Sequence, residues 1–464
     1  DEIAILRQWA ASGAVEGDAV DLPQTPDWGA DWLLGEPDLI VTMPTYTAPV
    51  GGQDVYRNLV VPIPVSAVRY VSAVELHPGN LRVVHHARMM VDTTNSSRRY
   101  DQLDAGVGFD GMDIVSNADN PPGHFVGWTP GRVPHIGTDE LAWPLRPGTD
   151  LVLQLHVRPT GKPEVVDAEV GFHFADRPPR QSSALIMLGS FDIDIPPGKK
   201  DYLVTDTYEL PVDVEVLGVY PHAHYLGKQV QGLATLPDGS AQRLIRIDDW
   251  DFNWQDEYRY ERSIPLPKGT ILSMQWTYDN SAENPRNPNT PPRRVVYGSL
   301  SSDEMSDLVI QVLPRNGRDL NILRRDLQWK YEVRESTYLA RREYAIGNQL
   351  ADQGKFAEAI QHFREALQHK ADDADVYIGL ATALTSLGEY ATATTIAEHA
   401  ASLSNYGDAT VLDGLAAVYA ASGRTEEAIR HAEQAMGLAR AAGRDSLANA
   451  IQRRLISYRR RDPN

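Results

Sequence analysis

The sequence contains no cysteine. That absence excludes disulfide scaffolds, cysteine nucleophiles, iron–sulfur clusters, CxxC redox sites and covalent haem attachment for this chain. Any metal site must be built from His, Asp, Glu or Met. The chain also lacks an apolar run of the roughly 18 residues that a membrane span needs. Positive charge is scarce: 44 Lys and Arg stand against 63 Asp and Glu, a formal net charge of -19. A nucleic-acid binder needs clustered positive charge to neutralise phosphates, and this balance argues against one. It carries no information about fold. No signal peptide is visible, and the chain begins at Asp1, which reads as a processed or trimmed product.

What is present is ordinary globular composition. The 464 residues are 42% hydrophobic and 23% charged, which excludes bulk disorder. At roughly 100–200 residues per domain, the length suggests about three domains. Before residue 335, Pro and Gly punctuate short runs rich in Val, Leu, Ile and Tyr: Leu59 to Val65, Leu81 to Val84, Asp150 to Val157, Val214 to Tyr220 and Thr270 to Tyr278. Such runs predict strands of sandwiches or barrels. About 300 residues exceed one core, and DRPPRQSS, Asp176 to Ser183, marks a break. Residues 2–13 predict one amphipathic helix, followed by an extended linker through LPQTPDW.

After residue 335 Pro nearly vanishes and Ala dominates, which predicts helices. Gly354, Gly388 and Gly423 open similar segments spaced 34 and 35 residues apart. Ala359, Ala393 and Ala428 recur five residues after each Gly, and Ala366, Ala400 and Ala435 twelve after. Small residues at fixed offsets let paired helices approach closely. The period and pattern resemble tetratricopeptide repeats. They either brace the rest of the chain or offer a concave surface to a peptide or protein.

Four of the 13 His lie in the repeats: His362, His369, His399 and His431. His362 and His369 are about 10 Å apart along a helix axis, too far for one ion, and these four read as solvated. Elsewhere His85 and His86 end the run LRVV. Adjacent strand residues point to opposite faces, so both reach one metal only if the strand ends, bulges or twists there, or if one ring binds through Nδ1. His156 shares a strand face with Gln154, and a lone His on an apolar strand is more often a satisfied core residue than a ligand. His222 and His224 sit at i and i+2, a spacing that suits two imidazoles on one ion. No nearby carboxylate joins them. Among eight Met, Met274 and Met305 are candidates for a third ligand. Buried Met is usually core filler, but a thioether beside two imidazoles favours Cu(I) over Zn(II).

HHARM, LVLQLH, HAHYLGK and SSDEM occur in the order found in the copper type II, ascorbate-dependent monooxygenases. Residues 38–312 resemble that family, and the whole chain resembles bacterial members with C-terminal tetratricopeptide repeats. The resemblance implies two antiparallel, jelly-roll-like β-sandwich domains facing a solvent-filled cleft, followed by an all-α repeat domain. The implied division is residues 1–34 (a helix and linker, similar to the tail of an upstream cytochrome c-like segment), 35–178 and 179–315 (the first and second copper domains), and 335–464 (the repeats). By motif, His85, His86 and His156 would bind an electron-storing copper, with Gln154 beside it. His222, His224 and Met305 would bind the copper at which oxygen reacts. Two coppers per chain, O₂, a small-molecule substrate and an external reductant, ascorbate or a cytochrome-like donor, are implied, as is hydroxylation of a C–H bond.

The chain departs from the animal enzymes in having no disulfides. Where the peptide hydroxylase holds a substrate carboxylate with Arg and Tyr, this chain has Tyr220 and Val309. A bidentate clamp is missing, and an apolar or aromatic substrate is expected. A copper-binding or partner-docking protein without turnover and a zinc hydrolase using His222 and His224 are the competing readings. Copper chemistry points to a bacterial periplasm or cell exterior. Trp250, Phe252 and Trp254 are read as the packed face of one strand. Asp248, Asp249 and Asp251 lack the spacing of an EF-hand calcium loop. His135 is an additional candidate ligand or cleft proton donor.

Overall fold

A computed structural model describes residues 2–18, 32–52, 54–111, 116–134, 141–298 and 300–461. His135 and LPQTPDW lie outside the described residues. The N-terminal helix runs Glu2–Ala11 and leaves Ile3, Ile5, Leu6 and Trp9 exposed.

The first β block holds two antiparallel sheets. One orders Leu39–Thr42, Glu169–Ala175, Arg69–His77 and Trp143–Leu145. The other orders Phe109–Asp110, Val55–Pro62, Asp150–Val157, Val84–Asp92 and Val126–Trp128. Leu151, Leu153, Leu155 and Val157 turn one face of their strand into a core shared with Val71, Val170 and Phe172 of the opposite sheet. Val152, Gln154 and His156 occupy the other face, which is also buried. Burial on both faces explains why LVLQLHV reads as a nearly continuous apolar run.

The second β block repeats the plan. Its sheets order Ala184–Leu188, Asp307–Pro314, Val214–His222, Tyr258–Leu266, and Tyr202–Glu209, Ile271–Tyr278, Gly227–Thr235, Ala241–Ile247. Ile186, Val216, Leu272, Trp276 and Ile310 share its core. The blocks meet through polar contacts. Arg132 pairs with Glu257 at 2.5 Å, and Gly123 O accepts from Gln311 Nε2 and Ser183 Oγ, each at 2.8 Å. Gly123 has φ +75°, and a Cβ there would fall 2.2 Å from Ser183 O, so only glycine fits.

The helical part begins earlier than the rise in Ala suggests. One 36-residue helix, Gly317–Asp352, crosses residue 335 without a break. Asn316 caps it, accepting from the N–H groups of Arg318 and Asp319. Its first half is charged and aromatic rather than Ala-rich, and buries Leu320, Leu323 and Leu327 in the second β core. Its second half opens the repeats, which continue through Phe356–His369, Ala374–Ser386, Tyr390–Leu403, Ala409–Ala421, Thr425–Ala441 and Asp445–Arg461. Ala359, Ala366, Ala393, Ala400, Ala428 and Ala435 are all fully buried, as their recurrence predicts. Gly354, Gly388 and Gly423 take left-handed φ of +75°, +82° and +81° just past helix ends.

Two of the repeat histidines differ from expectation. His362 Nδ1 lies 2.7 Å from the buried Glu343 carboxylate. His431 is buried and stacks on Tyr419. Among the described residues, no helix is long and apolar enough to cross a membrane.

Candidate metal centre

The Val84–Asp92 strand pairs with Asp150–Val157, Val84 opposite Val157 and His86 opposite His156, with the register shifting between Val84 and His86. His85 is thus the extra residue of a bulge, which lets two adjacent side chains turn toward one point. His86 Nδ1 stands 3.2 Å from His85 Nδ1 and 3.3 Å from His156 Nδ1. Metal–imidazole bonds of about 2.0–2.1 Å in a tetrahedral arrangement set ligand nitrogens about 3.4 Å apart. The three nitrogens therefore fit one ion.

Two of the rings are held from behind. His156 Nε2 donates to Asp54 Oδ2 at 3.0 Å, which leaves its Nδ1 lone pair facing the other two rings. Tyr56, the cross-strand neighbour of His156, stacks on it at 4.4 Å. Phe252 stacks on His85 at 4.7 Å. Burial first, then neighbouring imidazoles, hold His85 down to about 4 and His86 well below its ordinary value. These two rings are neutral at pH 7, the state in which a ring nitrogen binds metal.

The second group lies where Val214–His222 ends beside Asp307–Pro314. Tyr220 pairs with Val309 and His222 with Asp307. Two residues after His222 stands His224, and two residues before Asp307 stands Met305. Gln255 Nε2 donates to Phe252 O at 2.8 Å, which turns Oε1 toward His222. His222 Nδ1 donates to that oxygen at 2.5 Å, and His224 Nδ1 donates to Asp303 O at 3.1 Å. Among the described residues, neither ring has a hydrogen-bond partner at Nε2, and their centroids are 5.3 Å apart. Burial holds His224 down to about 3 and lowers His222.

Glu304 locks this end. Its buried carboxylate accepts from the N–H groups of His224 (2.8 Å), Leu226 (2.6 Å) and Met305 (3.2 Å). Burial pushes the carboxyl up to about 8 against the pull of those donors. Met305 is itself buried, and its carbonyl accepts from Tyr278 Oη.

The two groups stand against one another rather than across an open cleft. The His86 and His222 ring centroids are 6.4 Å apart, and Phe252 also meets the edge of His224 at 5.6 Å. Gln154 lies on the same strand face as His156 and donates to Asn58 Oδ1 at 3.0 Å. Tyr220 stacks on Phe125 at 4.5 Å, and Val309 is buried beside it. A cavity of about 660 Å³ reaches the same Phe125 and is lined by Trp128, Trp143, Glu257 and Arg259, but by none of the five histidines. Met274 is buried in the second core.

Asp54, Phe252, Gln255 and Glu304 are absent from the sequence-level set. Trp250, Phe252 and Trp254 do not share a strand, because strand structure resumes only at Tyr258. Trp250 and Phe252 are buried while Trp254 is 66% exposed. Only Glu304, inside SSDEM, carried a local signal. The acidic residues nearby are engaged: Asp248 pairs with Arg246 and Asp249 with Arg286.

Residues 350–402 and 411–446 each match a tetratricopeptide-repeat family model. No curated protein matches the chain. Similar solved structures include PcrH in complex with the chaperone binding region of PopD (23% identity, 26% of this chain and 91% of that one, TM-score 0.24). Others are the TPR2B domain–pHsp70 complex of yeast Sti1 (16%, 26% and 98%, 0.25) and the Yersinia enterocolitica translocator chaperone SycD (17%, 27% and 95%, 0.25). The chain thus joins an N-terminal part of antiparallel sheets to a C-terminal helical part that matches tetratricopeptide repeats.

Proposed function

We propose that this chain is a copper-dependent monooxygenase that hydroxylates a C–H bond of a small substrate. The observation that carries the proposal is the convergence of three Nδ1 atoms, at 3.2 and 3.3 Å, beside two imidazoles whose Nδ1 atoms are already engaged. The motif order that resembles the copper type II monooxygenases supports the same reading. The two β blocks would then be copper-binding β-sandwich domains, residues 35–178 and 179–315.

In this reading His85, His86 and His156 form an all-nitrogen site, and His222, His224 and Met305 a softer one. Bound copper supplies cycling between Cu(II) and Cu(I) and activation of O₂. Overall, R–H, O₂, two electrons and two protons yield R–OH and water. Asp54, Gln255 and the Asp303 carbonyl orient the rings, and burial keeps the Nε2 lone pairs of His222 and His224 unprotonated. Glu304 fixes the turn carrying His224 against the segment carrying Met305. The electrons come from an external donor, ascorbate or cytochrome-like. The buried Val309, beside the half-buried Tyr220 and Phe125, favours an apolar or aromatic substrate over a carboxylate. A periplasmic or secreted location follows from the copper chemistry.

A second reading, a copper-binding or partner-docking protein without turnover, draws support from the repeat match and would place a protein or peptide partner on the repeats. Oxygen uptake separates the two. With copper loaded and loose metal removed, a reductant and a panel of aromatic and aliphatic substrates should produce substrate-dependent O₂ consumption. Met305→Ile should abolish it while leaving the copper at His85, His86 and His156. Uptake that Met305→Ile leaves unchanged would contradict the assignment.

A further inference from the structure

The groups that orient the histidines do not all come from the block that carries them. His156, in the first block, donates to Asp54, and the same Asp54 oxygen accepts from Ser301 Oγ at 2.8 Å. Ser301 belongs to the second block and lies four residues before Met305. Phe252, also of the second block, stacks on His85. The reverse crossing exists as well. Gln255 orients His222, and its own carbonyl accepts from the buried Thr129 Oγ1 of the first block at 2.8 Å. Thr129 directly follows the Val126–Trp128 strand, whose neighbour carries His85 and His86.

We infer that the two histidine groups are interlocked, with Ser301 and Phe252 as positioning residues for the first and Thr129 for the second. Each group reaches its metal-binding geometry only when the other block is docked. Metal taken up by one group therefore favours docking and strengthens uptake at the other. This rests on the reading above that both groups take copper. A mere packing contact would alter stability without changing the electronic surroundings of a metal one ligand away. A contact that sets ring orientation changes both affinity and spectrum.

The test uses the full chain loaded with Cu(II) in the His224→Ala background, where only the first group binds. Ser301→Ala should weaken that copper about tenfold and change its EPR hyperfine splitting, although Ser301 sits on the other block. Ser301→Thr, which restores the hydroxyl, should recover both. In the otherwise unaltered chain, Thr129→Ala should weaken the second copper and Thr129→Ser restore it, so the inference remains testable if the double variant does not fold. An unaltered chain that takes fewer than two coppers would overturn the underlying reading, and this inference with it. Two coppers in the unaltered chain, with affinity and spectrum unmoved by Ser301→Ala and Thr129→Ala, would overturn the interlock alone.

Discussion

Glu304 shows how much a residue outside the histidine set can determine. Three backbone N–H groups end on its buried carboxylate. Leaving such donors unpaired costs about 1–3 kcal/mol each. Glu304→Ala should therefore destabilise the chain by about 3 kcal/mol or more in urea titration, and, under the proposed function, loosen copper at His222 and His224 before that at His156. Protonation provides a second test. Burial holds His124 and, in metal-free protein, His85 down to about 4 and His224 to about 3. The folded chain then binds fewer protons than the unfolded one below the ordinary value of 6.5. The stability is present above about 6.5 and is lost as pH falls toward 4. Glu304 acts in the opposite sense, because its raised pKa favours the fold on acidification, as do the raised carboxyls of Asp303, Asp307 and Asp375, but these four are set against six lowered imidazoles, those of His85, His86, His124, His222, His224 and His431. Metal-free protein should melt at a lower temperature at pH 5 than at pH 7.5, and copper should reduce the difference. At this scale the histidines were legible because their chemistry and spacing are local. Asp54 was not, since it lies 102 positions before the ring it orients.

Among the elements, the bulge at His85 and the helix Gly317–Asp352 carry the architecture. Two adjacent histidines on a regular strand diverge, and the register shift between Val84 and His86 resolves that conflict. The sequence posed the condition without saying which distortion meets it, because a bulge depends on the partner strand. The helix was partly hidden for a different reason. Its first half lacks Ala and anchors to the sheet by tertiary contacts: the Met187 N–H donates to Tyr331 Oη at 2.7 Å, and Lys330 pairs with Asp206 at 2.9 Å. Leu323 is fully buried in the second β core. Leu323→Ala should cost about 2–5 kcal/mol, read as an earlier denaturant midpoint for the β signal. An unchanged midpoint would mean that the helix does not brace the sheet.

Across the whole molecule, the order of parts was legible and their closeness was not. Alternating strand runs, the break near residue 180 and the Ala recurrence all describe local pattern. The 6.4 Å approach of His86 to His222 depends on how two blocks dock, through Arg132–Glu257, Gly123 and Ser301, none of which forms a sequence pattern. The absence of disulfides is met by this docking and by the helix that runs from the second core into the repeats. The most direct test of the account is copper content per chain after reconstitution and removal of loose metal. The account predicts two coppers, falling to one in His222→Ala. One copper or none in the unaltered chain, with zinc retained instead, would contradict it.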